Sequence, residues 1–69
     1  MRVRIANSSV IREVDYIPHQ VSITFQSGAT YVYVVPRKRA FTNLVKAPSV
    51  GRYYNRVFKK HYGPGDYVG

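Results

Sequence analysis

Alternation of apolar and polar residues in the first half of the chain constrains its fold more than any other feature. In "VSITFQ" (21–26) apolar residues occupy every second position, which is typical of a strand with one buried face. "VIREVDY" (10–16) alternates more weakly, and "ATYVYVV" (29–35) is β-branched and aromatic throughout. Pro18 separates the first two runs, and Gly28, which adopts positive φ without a Cβ penalty, separates the last two. These patterns predict a three-stranded antiparallel meander.

The register of the second hairpin is left open by the sequence. If the turn at "SG" has two residues, Ile23 faces Val32 in the core, and Tyr31 and Tyr33 stand exposed. A loop one residue longer moves both tyrosines inward, against Phe25 and Ile23, because a slip of one residue exchanges the two faces of a strand. Both registers are compatible with the pattern.

Two short helices are predicted after Pro36, a residue that cannot donate to a sheet ladder but is favoured in the first turn of a helix. Apolar residues recur at helical spacing in "AFTNLV" (40–45), and "APS" ends this first helix. Ser49 is placed to cap a second helix. The inner face of that helix is predicted to carry Tyr54, Val57 and Phe58, together with His61 or Tyr62.

The predicted fold is α+β, with a three-stranded antiparallel β-meander followed by two short helices packed on one face. A chain of 69 residues holds one domain, which we assign to residues 1–69. The segment "GPGDYVG" (63–69) is predicted to be a flexible tail, because it is rich in glycine and lies at the end of the domain.

Positive charge is concentrated in residues 36–60, which hold eight of the eleven Lys and Arg and neither Asp nor Glu. The net charge of +8 attracts polyanions and lowers stability through self-repulsion. Most of these cations lie off the apolar stripes, so we expect them on the outer side of the helices, where a bound polyanion would release counterions. With "MRVR" as a second contact, the predicted partner-binding residues are Arg37, Lys38, Arg39, Lys46, Arg52, Arg56, Lys59, Lys60, Arg2 and Arg4.

Tyrosines interleave with the cations of the second helix. Tyr53, Tyr54 and Tyr62 lie close in sequence to Arg52 and Arg56, and tyrosines in such a setting can stack on unpaired bases. The alternative is that at least two of the three are core aromatics of a helix with few aliphatic residues.

Residues suited to catalysis or metal binding are few. Glu13 and Asp15 would project from the same side of a strand, as a carboxylate pair requires, but a solvated strand face is the simpler interpretation. His19 and His61 have no second ligand at metal spacing. No glycine-rich phosphate loop precedes a helix. We expect no enzymatic activity, no metal and no cofactor.

Cysteine is absent, which excludes a disulfide framework and fits a reducing compartment. The longest uncharged apolar run, "YVYVV", is too short to span a bilayer, and no apolar run follows the basic start as in a signal peptide. We therefore expect a monomer in the cytoplasm of a bacterial host cell, with no membrane contact.

The order of these residues resembles the KTSC domain, a small module named for its attachment to the C-terminus of some lysyl-tRNA synthetases. The resemblance covers residues 7–62 and begins with "NSSVI" before the first strand. Its most specific part is A-x-S-x-G-x-Y-[YF]-N, matched by "APSVGRYYN" (47–55). The resemblance implies a β-meander followed by helices and carries over no catalytic residue.

A function is implied by the same resemblance, because phage-encoded small proteins that look like this chain bind the host RNA polymerase and alter initiation or termination. We therefore expect a small basic non-enzymatic regulator, phage-encoded, that binds bacterial RNA polymerase or associated transcription factors. It would contact the nearby RNA or DNA backbone and act by initiation inhibition or antitermination. The alternative is a free-standing RNA-binding module that acts through its basic patch and tyrosine stacking.

Overall fold

A five-stranded antiparallel sheet forms one layer of the computed structural model, which describes residues 1–69. The order of the strands in the sheet follows the chain. The strands are β1 (Arg2–Arg4), β2 (Ile11–Ile17), β3 (Gln20–Phe25), β4 (Thr30–Val34) and β5 (Asp66–Tyr67).

Helices form the second layer, on one face of the sheet. The first is α1 (Arg39–Lys46). An unbroken helical run follows, made of α2 (Val50–Tyr53), a π-helical segment (Tyr54–Phe58) and α3 (Lys59–Tyr62). We call residues 50–62 the C-terminal helix and residues 36–62 the helical layer. None of these helices combines the length and the apolar character needed to cross a bilayer.

The predicted α+β class and its three central strands are confirmed, but the predicted strand count was wrong. Both edge strands were missed. β1 is only three residues long, although Val3 and Ile5 alternate with Arg2 and Arg4 in the way a strand requires. β5 is two residues long and follows two glycines, so no periodic pattern could identify it.

The segment 63–69, predicted to be a flexible tail, contains β5. Tyr67 pairs with Tyr31, and the N–H of Val68 donates to the carbonyl of Thr30 at 2.9 Å. Gly65, at φ +75°, packs against the ring of Tyr33, where a Cβ atom would lie 2.7 Å from two ring carbons. This close approach and the backbone pairing hold the segment on the sheet edge.

The β3–β4 hairpin adopts the longer of the two predicted loops. Thr24 pairs with Thr30, and the N–H of Phe25 donates to the carbonyl of Ala29 at 2.9 Å, which leaves residues 26–28 as the turn. Gly28 provides the positive φ of +96°. This register turns Tyr31 and Tyr33 toward the helices, where Tyr33 is 1% exposed.

The core lies between the two layers and contains residues from both. α1 contributes Ala40, Phe41 and Leu44, and the C-terminal helix contributes Val50, Tyr54 and Phe58. The sheet layer provides the remaining buried side chains: Ile11, Val14, Val21, Ile23, Tyr33 and Val35. Both predicted apolar stripes are confirmed, although Val45 and Val57 are only half-buried. Each large side chain so buried contributes about 1.5 to 3 kcal/mol.

Helix α1 begins at Arg39, so Pro36 precedes the helix and does not lie in its first turn as expected. Lys38 occupies the N-cap position and provides no side-chain cap, because its ammonium group can only donate. The cap predicted for the next helix is confirmed, since the Ser49 hydroxyl accepts from the N–H of Arg52 at 3.4 Å. Ala47, in extended conformation before Pro48, ends α1.

Candidate binding surface

All three acidic residues lie on the face of the sheet that points away from the helices. Cross-strand partners share a face, and the pairings Asp15 with Ser22, Ser22 with Val32, and Val32 with Asp66 follow one row across four strands. Glu13, two residues before Asp15 on β2, projects from the same side, as predicted. We call this side of the sheet the open face.

Two of these acids have positively charged partners on the open face. The Nε of Arg2 lies 3.4 Å from a carboxylate oxygen of Glu13, and its Nη2 lies 3.8 Å from Asp15. The amino group of Met1 lies 3.5 Å from the other oxygen of Asp15. Arg4 pairs with Glu13 in the strand register. Arg2 and Arg4, predicted as partner contacts, therefore lie apart from the helical cations.

The other eight predicted contact residues all lie in the helical layer. Each is exposed, and none comes within 4.0 Å of an acidic group or uses its side chain in a hydrogen bond inside the protein. Three precede or begin α1, one ends it, and four lie on the C-terminal helix. These residues, which we call the basic set, are Arg37, Lys38, Arg39, Lys46, Arg52, Arg56, Lys59 and Lys60.

A groove of about 260 Å³ separates the start of α1 from the end of the C-terminal helix. Arg37 and Arg39 line one side, and Tyr53, His61 and Tyr62 are among the residues of the other. Both tyrosines are half-buried, pack against the core and line the groove. We call this the aromatic groove. It is the place where predicted stacking residues and predicted cations meet.

A second shallow groove, of about 290 Å³, shares a wall with the aromatic groove. Tyr53 and Val57 line both grooves, while Arg52 and Arg56 line only the second of the two. The shared wall of Tyr53 and Val57 therefore lies between the two arginines of the C-terminal helix and those near the start of α1. Members of the basic set that are distant in sequence thus border a common surface.

Tyr54, the third predicted stacking residue, belongs to the core instead. Its hydroxyl lies 2.5 Å from that of Tyr33, which joins the C-terminal helix to β4. Burial, and then the hydrogen bond with Tyr54, raise the pKa of Tyr33 well above its ordinary value. The interpretation of these tyrosines as core aromatics holds fully for Tyr54. Tyr53 and Tyr62 also pack against the core, but each is only partly buried.

A polar groove that the sequence did not predict lies at the start of the C-terminal helix. Its volume is about 400 Å³, and it is lined by residues 7–10 together with Ser49, Gly51, Arg52, Asn55 and Arg56. The two stretches that carried the family resemblance, "NSSVI" and "APSVGRYYN", therefore meet in space. No local sequence pattern predicts this groove, because the residues of its two walls are far apart in the chain.

The structure contains no group of three or more His, Asp or Glu side chains arranged to hold a metal ion. His19 follows β2, and His61 lies in the last turn of the C-terminal helix beside Tyr62, with 5.9 Å between the ring centroids. The two histidines therefore have separate surroundings.

A small α+β domain with a basic helical layer is the class that this fold and surface define. The chain belongs to the KTSC domain family, whose model matches residues 7–62. It is 40% identical over 58 residues to an uncharacterized protein of Stutzerimonas stutzeri (strain A1501), a match covering 80% of this chain and 82% of that protein. The crystal structure of a KTSC domain protein from Yersinia pestis is similar, with a TM-score of 0.85 and 30% identity, covering 100% of this chain and 97% of that one. The predicted family and fold class are confirmed.

Proposed function

We propose that this protein is a non-enzymatic domain that binds the phosphate backbone of single-stranded RNA through its helical layer. One observation carries the proposal, which is that the basic set is exposed and has no acidic partner inside the protein. The remaining three arginines and the three acids balance one another in the sheet layer. The whole net charge of +8 therefore belongs to the helical layer.

The cluster at the start of α1 is unfavourable unless an anion lies nearby. Arg37, Lys38 and Arg39 stand at the helix end that carries a partial positive charge, and no acid occupies the first turn. A phosphate backbone would relieve both this dipole repulsion and the mutual repulsion of the cations. Release of condensed counterions would add to the affinity.

The aromatic groove favours a single strand over a duplex. Tyr53 and Tyr62 line this groove together with Arg37 and Arg39, and unpaired bases stack on tyrosine rings without regard to sequence. In a duplex the bases are stacked on one another and the rings have no free partner. We therefore expect tighter binding of single-stranded RNA than of duplex DNA of equal length.

A salt titration tests the proposal. The affinity of the protein for fluorescein-labelled decauridine would be measured by fluorescence anisotropy between 50 and 300 mM NaCl, with a duplex of equal length as the comparison. With roughly four or five phosphate contacts, the logarithm of the association constant should fall with a slope of about −3 against log salt. Absence of binding at 50 mM salt, or an affinity that salt does not change, would refute the proposal.

A second candidate is the transcription regulator that docks on bacterial RNA polymerase while its helical layer meets nucleic acid. It is favoured by two apolar residues on the open face, Ile17 at 54% exposure and Val34 at 72%, which flank Gln20 in the strand register. Exposed apolar groups beside a polar rim suit a contact with protein. The two partners would then occupy opposite sides of the domain.

A pull-down from nuclease-treated bacterial lysate separates the two candidates. Retention of polymerase subunits, and their loss in an Ile17→Ser/Val34→Ser variant that still binds decauridine, would support docking through the open face. Loss of every partner after nuclease treatment would leave the free-standing RNA-binding domain. The paired substitutions lie outside the core, so the variant should fold normally.

A further inference from the structure

The polar groove collects hydrogen-bond donors that the fold itself does not use. Arg52, Asn55 and Arg56 lie on the outer side of the C-terminal helix, and Asn7 and Ser9 come from the connection between β1 and β2. None of these five side chains makes a hydrogen bond within the protein. All five therefore remain available to a ligand.

Gly51 sets the distance between the two walls of this groove. A Cβ atom at this position would lie 3.3 Å from both Cβ and Cγ2 of Val10 and 3.4 Å from the hydroxyl of Ser8. That hydroxyl in turn accepts from the N–H groups of Val10 and Ile11, at 3.1 and 3.0 Å. The floor of the groove is thus held by packing and hydrogen bonds, which leaves the donors above it free.

The chemistry of the lining residues is that of an anion site. Two guanidinium groups supply two positive charges, the amides of Asn7 and Asn55 and the hydroxyl of Ser9 can each donate, and no acid lines the groove. A phosphomonoester carries up to two negative charges and three terminal oxygens, which matches this set in charge and in number of acceptors. An internal phosphodiester carries one charge and two free oxygens, and the exposed lysines elsewhere on the layer suffice for it.

We infer that the polar groove binds the terminal phosphomonoester of a nucleic-acid strand whose internal phosphates lie along the basic set. The inference rests on the proposed function and deepens it, because it gives the domain a preference for strand ends. Arginine forks at Arg52 and Arg56 approach the phosphate from the helix side. Asn7 and Ser9 close the site from the sheet side.

The test compares three decauridines that differ only in their ends: one with a 5′-phosphate, one with a 3′-phosphate and one with hydroxyl groups at both ends. Fluorescence anisotropy at 150 mM NaCl should show one phosphorylated strand binding about tenfold more tightly than the hydroxyl strand, since charge-assisted hydrogen bonds are the strong ones. The arm that gains affinity assigns the end. Free uridine 5′-monophosphate, added as competitor, should displace the strand only at far higher concentration.

Matched variants locate the effect. Asn55→Ala should reduce the preference for the phosphorylated strand to less than about twofold and leave the affinity for the hydroxyl strand almost unchanged. Arg52→Lys should reduce the preference to the same degree, because an ammonium group cannot replace the bidentate fork. Asn43→Ala and Arg39→Lys make the same chemical changes outside this groove and should keep the preference. All four side chains are exposed, and circular dichroism would verify that each variant is folded.

The outcomes separate this inference from the proposed function. Equal affinity for all three strands would overturn the terminal-phosphate site and leave backbone binding intact. A preference that survives both Asn55→Ala and Arg52→Lys would place the phosphate elsewhere and overturn the site as well. If uridine 5′-monophosphate competed as effectively as an unlabelled phosphorylated strand, the groove would be assigned to free nucleotides instead of strand ends. Binding of no strand at all would overturn both proposals.

Discussion

The open face and the helical layer cover opposite sides of one core, yet they handle charge in opposite ways. On the open face, Arg2 lies within ion-pair distance of Glu13 and Asp15, and no excess of either sign results. On the helical layer, eight cations stand exposed without one acidic neighbour. The same hydrophobic cluster supports both sides. Folding therefore does not require the charge imbalance, which lowers stability unless an anionic partner offsets it.

The largest effect on stability is expected from a substitution in the core that the two sides share. Phe58 is 1% exposed and contacts the rings of Tyr33, Tyr54 and Tyr62. Phe58→Ala should lower the free energy of unfolding by about 3 to 5 kcal/mol, through lost burial and the cavity left behind. Urea denaturation followed by circular dichroism would measure this. A domain of this size has little more stability than that to lose.

An open-face substitution provides the control for that experiment. Val34 is 72% exposed, so Val34→Ala should change the free energy of unfolding by no more than about 0.5 kcal/mol. A comparable loss in both variants would mean that the open face is covered, for instance by a second copy of the chain.

Charge reversal tests the contrast between the two sides directly. Lys38→Glu/Arg39→Glu and Arg4→Glu/Arg12→Glu each lower the net charge from +8 to +4, the first on the helical layer and the second on the sheet. Only the first should weaken binding of decauridine at 150 mM NaCl, by about tenfold or more, because it removes phosphate contacts instead of distant charge. Equal losses in the two variants would show that net charge, and not its placement, governs binding.

Loss of the hydrogen bond between the two tyrosine hydroxyls that join the layers should have a smaller effect on stability. Tyr33→Phe removes one buried hydrogen bond and should lower the free energy of unfolding by about 1 kcal/mol at neutral pH. Because the pKa of Tyr33 is raised in the folded state, the stability that its hydroxyl provides is complete below its ordinary value of 10.0 and is lost as the pH rises beyond it. Wild-type stability should therefore fall more steeply than that of Tyr33→Phe in denaturation series above pH 10. Parallel curves would contradict this.

The smallest expected effect concerns the helix cap. Ser49→Ala should lower the free energy of unfolding by about 0.5 to 1 kcal/mol, since the hydrogen bond to the N–H of Arg52 is long at 3.4 Å. Ser22 lies on the open face and caps no helix, so Ser22→Ala should have less effect. Thermal denaturation of both variants would measure the difference. An equal loss in both variants would mean that the Ser49 hydroxyl does not stabilise the start of the C-terminal helix.

The central strands and the apolar stripes of the helices could be predicted because each depends on a local period of two or 3.6 residues. β1 gave the same signal in Val3 and Ile5 but over too few residues to be recognised, and β5 gave none. The hairpin register depended on a single residue of loop length, which composition does not determine. The cations were predictable as a set, although the separation of Arg2 and Arg4 from the others required the sheet.

The polar groove could not be predicted, because it depends on an approach between distant parts of the chain. Gly51 must come close to Val10 before Asn7 and Asn55 can border one space. A sequence pattern identifies the residue types on each wall, but only packing reveals that the walls face each other.

The match between strand order and chain order has a practical consequence for attachment. With β1 and β5 at opposite edges of the sheet, linkers joined to the two ends would leave from opposite rims of the domain. The basic set lies in the helical layer and on neither edge strand. A sensor chip, an affinity resin or a fused carrier could thus hold the domain by either end and still present its cations to a ligand in solution.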